Sequence, residues 1–312
     1  MRKLFLPLAI AFVCLVIFIL ARYHQSSTNY IVSEPQSTNS LSRPVRIVSL
    51  APNLTELLFA LGLGDRIVAV SNGSDYPPEA AAKQKVGTFW QPNIEAIIAS
   101  KPDLVVTLWF EQQKAAADTL NRLGYQVLSL KAEKVEELLI AIQKIGAATS
   151  CQQRADEMVK DITNQINDLQ SRFTSADRVK VLWVVQVEPL RVAAPNTFIN
   201  ELIELAGGEN AIGPAIGQYP SISSEEILAC GAETIIQSSM GTSSIAQQQQ
   251  AAQVFWSRWP SLPAVKNNRI YVVKPDTILR LGPRLPQGIE LIGRCLHPDK
   301  STQIHDVTQQ VR

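Results

Sequence analysis

Aromatic side chains gather where this chain leaves its strands. Tyr76 stands in SNGSDYPPEA, Phe89 and Trp90 in GTFWQPNIE, Trp109 and Phe110 after DLVVTL, and Tyr219 in GQYPSIS. Aromatics are only 6% of the residues, so this concentration carries information. Rings in such places either stack on a ligand or pack into the core and their own loops, and they break no bonds. Side chains alternate along an extended stretch, so one of Phe89 and Trp90 is expected in a core and the other in a cleft. Pro77-Pro78 stiffens the loop that presents Tyr76, whose ring either stacks on a ligand or fills a gap in its own loop. Ala51-Pro52-Asn53 turns into a helix whose free N–H groups can meet a polar ligand edge, although Asn53 alone also reads as an ordinary cap. Asp276 and Arg280, four apart, either form a surface ion pair or act as a clamp, Asp276 accepting from amides and Arg280 donating.

Composition excludes several other chemistries. The chain of 312 residues has 29 basic and 28 acidic side chains, so it lacks the electrostatic footprint of a nucleic-acid binder. Three histidines and four scattered cysteines leave little for a zinc site. P-loop, HExxH and GxSxG strings are absent, and no nucleophile–base pair is apparent. The chain therefore reads as a binder, not an enzyme, with no resident cofactor or metal.

The elements that must position these residues follow one rhythm. RIVSL (46–50), RIVAV (66–70), DLVVTL (103–108) and QVLSL (126–130) read as strands, with helices over NLTELLFALG, 92–100, 112–123 and 134–148. Asn53 and Glu56 have capping-box spacing, and Gly62 is a suitable stop. A second half repeats the pattern: strands at 179–187, 233–237 and 269–273, and helices near 197–208, 223–229, 245–257 and 284–296. Ser223 and Glu226 again have capping-box spacing, and QQQQ (247–250) reads as a solvated helix face.

Between the halves, Ala155, Met158, Val159, Ile162, Ile166, Leu169 and Phe173 form one helical stripe without Gly or Pro. A helix over 151–175 is about 35 Å long. The expected fold is α/β: two parallel-sheet lobes, 45–150 and 176–298, joined by this rigid helix. Such a joint permits modest opening rather than a wide hinge closure. The natural binding place is the cleft between lobes, beyond the carboxyl ends of the strands.

Residues 1–21 place Arg2 and Lys3 before 18 mostly apolar residues, which is either a cleaved signal peptide or a retained membrane anchor. Residues 22–44 read as a flexible tether and 299–312 as a polar tail. The body is then extracytoplasmic, most naturally periplasmic. At most one disulfide can form among Cys151, Cys230 and Cys295.

RIVSLAPNLTELLFALG, SDYPPEA, VGTFWQPNIEAIIASKPDLVV and VFWSRWPSLPAVKNNRIYVV with GPRL resemble the helical-backbone substrate-binding proteins of ABC importers over about residues 45–297. SDYPPEA and DTILR are most like the cobalamin (vitamin B12) binders of that family. The resemblance implies a corrinoid ligand held in the cleft and partners in an ABC permease and ATPase. It places the family's cleft tyrosine on Tyr76, its cleft tryptophan on Phe89 or Trp90, its second-lobe tryptophan on Tyr219, and its Asp and Arg on Asp276 and Arg280. A contact phenylalanine falls near Val192, and a disulfide cysteine is replaced by Ala206, so neither carries over. Permease-docking glutamates fall on Glu95 and Glu225, where first-turn acids also suit a helix dipole. A corrin ring matches aromatic walls with a polar rim. A ferric siderophore would favour a more basic cleft, for which Arg191, Arg280 and Arg284 are available. Haem would want a Tyr or His axial ligand: His24, His297 and His305 lie towards the ends of the chain, leaving Tyr76. A membrane-anchored sensor using the same cleft is the remaining alternative.

Overall fold

The computed structural model describes residues 46–173, 177–241, 243–274, 278 and 280–298, all within the unit that begins at Arg43. The N-terminal segment and tether, Cys14, His24, Asp276, His305 and the polar tail lie outside the described residues.

The first lobe runs β1 (Ile47–Ser49), α1 (Pro52–Ala60), β2 (Ile67–Val70), α2 (Pro78–Ala81), β3 (Gln84–Lys85), α3 (Ile94–Ala99), β4 (Leu104–Leu108), α4 (Glu111–Arg122), β5 (Gln126–Leu130) and α5 (Val135–Thr149). Its five-stranded sheet has order β3-β2-β1-β4-β5 and is parallel throughout. β1 and β4 are buried at every position, as central strands covered on both faces must be. The strand order reverses between β1 and β4, which leaves a crevice beyond their carboxyl ends.

The link is α6 (Gln152–Phe173), 22 residues and about 33 Å long. Ala155, Ile162, Ile166, Leu169 and Phe173 are its buried stripe. They join a single hydrophobic core that extends from Leu54 and Leu57 in the first lobe to Trp183 and Ile203 in the second. The rod is therefore packed into both lobes rather than spanning open space.

The second lobe comprises β6 (Val179–Gln186), β7 (Arg191–Val192), α7 (Phe198–Leu205), β8 (Gly208–Asn210), α8 (Ser224–Cys230), β9 (Thr234–Ser238), α9 (Ile245–Trp256), α10 (Pro263–Lys266), β10 (Ile270–Val273) and α11 (Leu285–Leu296). β10, β9 and β6 run parallel, and β8 pairs parallel with the first half of β6. β7 pairs antiparallel with the second half, a two-residue strand too short to announce itself in sequence. Val192 is fully buried there. α8 opens with the reciprocal Ser223–Glu226 capping box that its spacing predicts.

Two local expectations are corrected. The glutamine run is not simply solvated. Gln249 accepts from Val272 N and donates to Ile270 O, which satisfies the backbone of β10. Asn53 and Glu56 do not form a capping box either: Pro52 starts α1 one residue earlier, Ala51 is the N-cap, and both side chains are drawn to the second lobe. Cys151, Cys230 and Cys295 are free thiols, and complete burial pushes the Cys295 thiol up to about 12. Among the described residues no helix is long and apolar enough to cross a membrane.

Candidate functional site

A cavity of about 430 Å³ lies between the lobes. Pro52 and Asn53 enter it from the end of β1, Leu108 and Phe110 from the end of β4, and Ala132 and Glu133 from beyond β5. Phe198, Gln218 and Tyr219 face them from the second lobe. Arg280 and Leu281 complete the wall. Its volume falls within the usual range for small-molecule sites, and its wall is mostly apolar with a few placed polar groups, as such sites are.

The aromatic wall is built from contiguous rings. Phe89 packs edge-to-face on Trp90 with centroids 4.7 Å apart and on Phe110 at 5.7 Å. Both Phe89 and Trp90 line the cavity: Phe89 is half-buried against the core, while Trp90 is 61% exposed. Gly87 makes the preceding turn with φ +98°, and a Cβ there would stand 2.5 Å from the Gln91 carbonyl oxygen, so only glycine fits. Asn93 caps α3 by accepting from Ala96 N, which anchors the far end of this loop.

Tyr219 crosses the cavity from the other lobe. Burial raises its phenol above the usual value, and the negative charge of Glu133 opposite adds to the rise. The hydroxyl is therefore kept as a neutral donor and acceptor.

At the other end of the cleft the lobes are tied by charge. Glu56, in α1, is almost fully buried and receives Arg284 at both oxygens, Nε to Oε2 and Nη2 to Oε1, each at 2.8 Å. Arg280 Nη1 reaches Glu56 Oε1 at 3.4 Å and Asp75 Oδ1 at 2.8 Å. Asn53 Nδ2 donates to Leu281 O at 3.0 Å. The Arg284 guanidinium also sits 4.0 Å above the Tyr76 ring. Burial alone would raise the Asp75 carboxyl, but the hydrogen bond and charge of Arg280 outweigh it and hold it below the ordinary range.

The structure thus brings together Pro52, Asn53, Phe89, Trp90, Tyr219 and Arg280 from the expected site. Ala51 is fully buried behind the cavity as the N-cap of α1. Tyr76 lies outside the lining, beneath Arg284. Trp109 lies outside it too: alternation after β4 sends Leu108 and Phe110 inward and leaves Trp109 57% exposed, with Lys131 Nζ 4.8 Å from its ring. Arg191 belongs to β7 and is not among the lining residues. Glu95 and Glu225 are both exposed in the first turns of α3 and α8. Glu56, Glu133, Phe198 and Gln218 were not anticipated. Only Glu56 gave a sequence signal, and its spacing pointed to a cap instead.

Residues 47–277 match the family described as periplasmic binding protein. The chain belongs to that family. It is 31% identical over 272 residues to an uncharacterized ABC transporter substrate-binding lipoprotein, YvrC, of Bacillus subtilis, covering 85% of this chain and 83% of that protein. Among solved structures it resembles the periplasmic vitamin B12 binding protein BtuF of Vibrio cholerae, with TM-score 0.71 and 27% identity over 81% of this chain and 97% of that one. It also resembles a possible iron-binding (periplasmic solute-binding) protein of Staphylococcus epidermidis, with TM-score 0.72 and 26% identity over 82% and 99%. This periplasmic binding protein is a substrate-binding protein of the ABC-transporter kind with the two-lobed α/β fold of that class. Its family serves transport rather than catalysis.

Proposed function

We propose that this periplasmic binding protein captures cobalamin outside the cytoplasmic membrane and delivers it to an ABC permease. The observation that carries the reading is the aromatic wall Trp90–Phe89–Phe110 facing Tyr219 and Phe198 across one cavity. A corrinoid presents a broad apolar face and a rim of neutral amides. Rings on both sides suit the face, while Asn53, Gln218, Tyr219 and Arg280 suit the rim.

Charge balance supports a ligand without strong negative charge. Arg280 and Arg284 are matched by Glu56 and Asp75, and Glu133 adds a carboxylate to the wall. A trianionic ferric siderophore would meet little net attraction there. Haem iron would want an axial phenolate or imidazole. His297 is packed on Phe173 at the end of α11, and Tyr76 lies under Arg284 outside the cavity lining. The iron-binding alternative draws on the Staphylococcus epidermidis likeness.

Delivery requires a docking face. Glu95 and Glu225 project from short helices on separate lobes, free of the cavity, and suit cationic sites on a permease. Titration of the purified protein with cyanocobalamin, cobinamide, haemin and a ferric siderophore, read by tryptophan fluorescence, tests the ligand. Saturable micromolar or tighter binding of a corrinoid is expected. Binding of haemin or the siderophore in its place would overturn it.

A further inference from the structure

Gln113 is polar, sits in the first turn of α4, and is nevertheless fully buried. Its side-chain amide is completely employed. Oε1 accepts from Leu108 N at 3.0 Å and from Thr107 Oγ1, both at the end of β4. Nε2 donates to Leu50 O at the end of β1 and to Phe89 O, each at 3.0 Å. Its own backbone N–H donates to Phe110 O, also at 3.0 Å.

Those five partners belong to the segments that build one wall of the cavity. The loop holding Phe89 and Trp90 has its own turn bonds, Thr88 N to Gln91 O, Gln91 N to Thr88 Oγ1 and Asn93 N to Val86 O, and its start is held from the β2 side by Asn72 N donating to Gly87 O. The Gln113 amide is the described side chain that ties the middle of this loop, at Phe89 O, to the strand ends beneath it. Through its backbone it also holds Phe110, the ring against which Phe89 packs.

We propose that Gln113 is a positioning residue for ligand capture, fixing the Phe89–Trp90–Phe110 wall in its binding geometry before any ligand arrives. It is not among the residues that line the cavity. No apolar residue of similar size can replace it without stranding buried carbonyls and an N–H. The consequence for affinity is that of lost preorganisation: the rings remain, but they are no longer held in register. The inference deepens the reading of the cavity as the capture site, and its ligand-free arm stands apart from the identity of the ligand.

The test uses protein labelled with 5-fluorotryptophan, which has five tryptophans, and ¹⁹F NMR, with Trp90→Phe assigning the Trp90 signal. In Gln113→Met without ligand, the Trp90 signal should shift or broaden. Trp183 and Trp256, buried in the second lobe, should keep theirs and report an intact fold. Affinity for cyanocobalamin should fall about tenfold. Gln113→Glu, which keeps an acceptor for Leu108 N and loses the amide donors, serves as the second variant if Gln113→Met does not fold, with the same displacement of Trp90 expected. An unmoved Trp90 signal in a folded variant overturns the proposal. A moved Trp90 signal in a protein whose wild type ignores cyanocobalamin would instead sustain the role of Gln113 and refute the ligand.

Discussion

Arg284 grips Glu56 with two parallel hydrogen bonds of 2.8 Å across 228 positions of sequence. Glu56 belongs to the first helix of one lobe, and Arg284 to the segment that returns from the strands of the other. A buried carboxylate held this way is costly to leave half-made. Glu56→Gln keeps the shape and removes the charge from beneath two guanidinium groups. It should lower stability by about 3 kcal/mol, a fall of several degrees in Tm. Arg284→Lys should be nearly as damaging, because an ammonium cannot supply the fork. Differential scanning calorimetry of both variants measures this, and a Tm at the wild-type value for either would show that the pair does not hold the lobes.

Cavity geometry separates aromatic residues that sequence treats alike. Trp90 and Tyr219 stand on opposite walls, while Trp109 points away beside Lys131. Trp90→Ala and Tyr219→Ala should each weaken cyanocobalamin binding about tenfold or more, as truncated aromatic anchors do. Trp109→Ala should leave the affinity near that of wild type. Calorimetric titration of the three variants decides, and the reverse order would place the ligand outside this cavity.

The two-lobed fold was legible because its signals are repetitive: β-branched strands, helices closed by Gly62, Gly124 and Gly207 at positive φ, and one unbroken stripe from Ala155 to Phe173. The short pieces β3, β7, β8, α2 and α10 were not, since runs of two to four residues carry no period and these lack the β-branched apolar runs that mark β1, β2 and β10. The candidate cavity was legible in Phe89, Trp90 and Tyr219 and not in its supports. Gln113 and Glu56 are polar residues near helix starts, where polarity usually means a cap or solvent. Their burial arises only when segments distant in sequence close over them. Tyr76 illustrates the converse: Pro77-Pro78 suggests an extended loop presenting the ring, but Pro78 opens α2 and a cation from position 284 sits over the ring.

The Asp75–Arg280 ion pair between the lobes is expected to weaken in acid. Its folded pKa is below the ordinary 3.8, so its bond to Arg280 adds stability above that value and loses it as pH falls through the folded pKa. The side chain is 62% exposed, so the contribution is small, under about 1 kcal/mol. Asp75→Asn should therefore lower Tm slightly at pH 7, and the gap to wild type should close as pH is taken below 3.8. A gap that stays constant through that range would mean that the charge of Asp75 contributes nothing.

Glu95 and Glu225 can be separated from ligand capture because neither lines the cavity. Glu226 forms the capping box of α8, which leaves its neighbour Glu225 exposed and without that structural duty. Asn93, not Glu95, caps α3. Each acid has only a modest helix-dipole effect on stability, a few tenths of a kcal/mol to about 1. Glu95→Lys and Glu225→Lys should therefore fold and bind cyanocobalamin as wild type does. On the proposed docking role the combined change should abolish uptake in cells that depend on this protein for the ligand, since it would set repulsion in place of attraction at the permease. Uptake at the wild-type rate by the double variant would show that the protein meets its permease through another face.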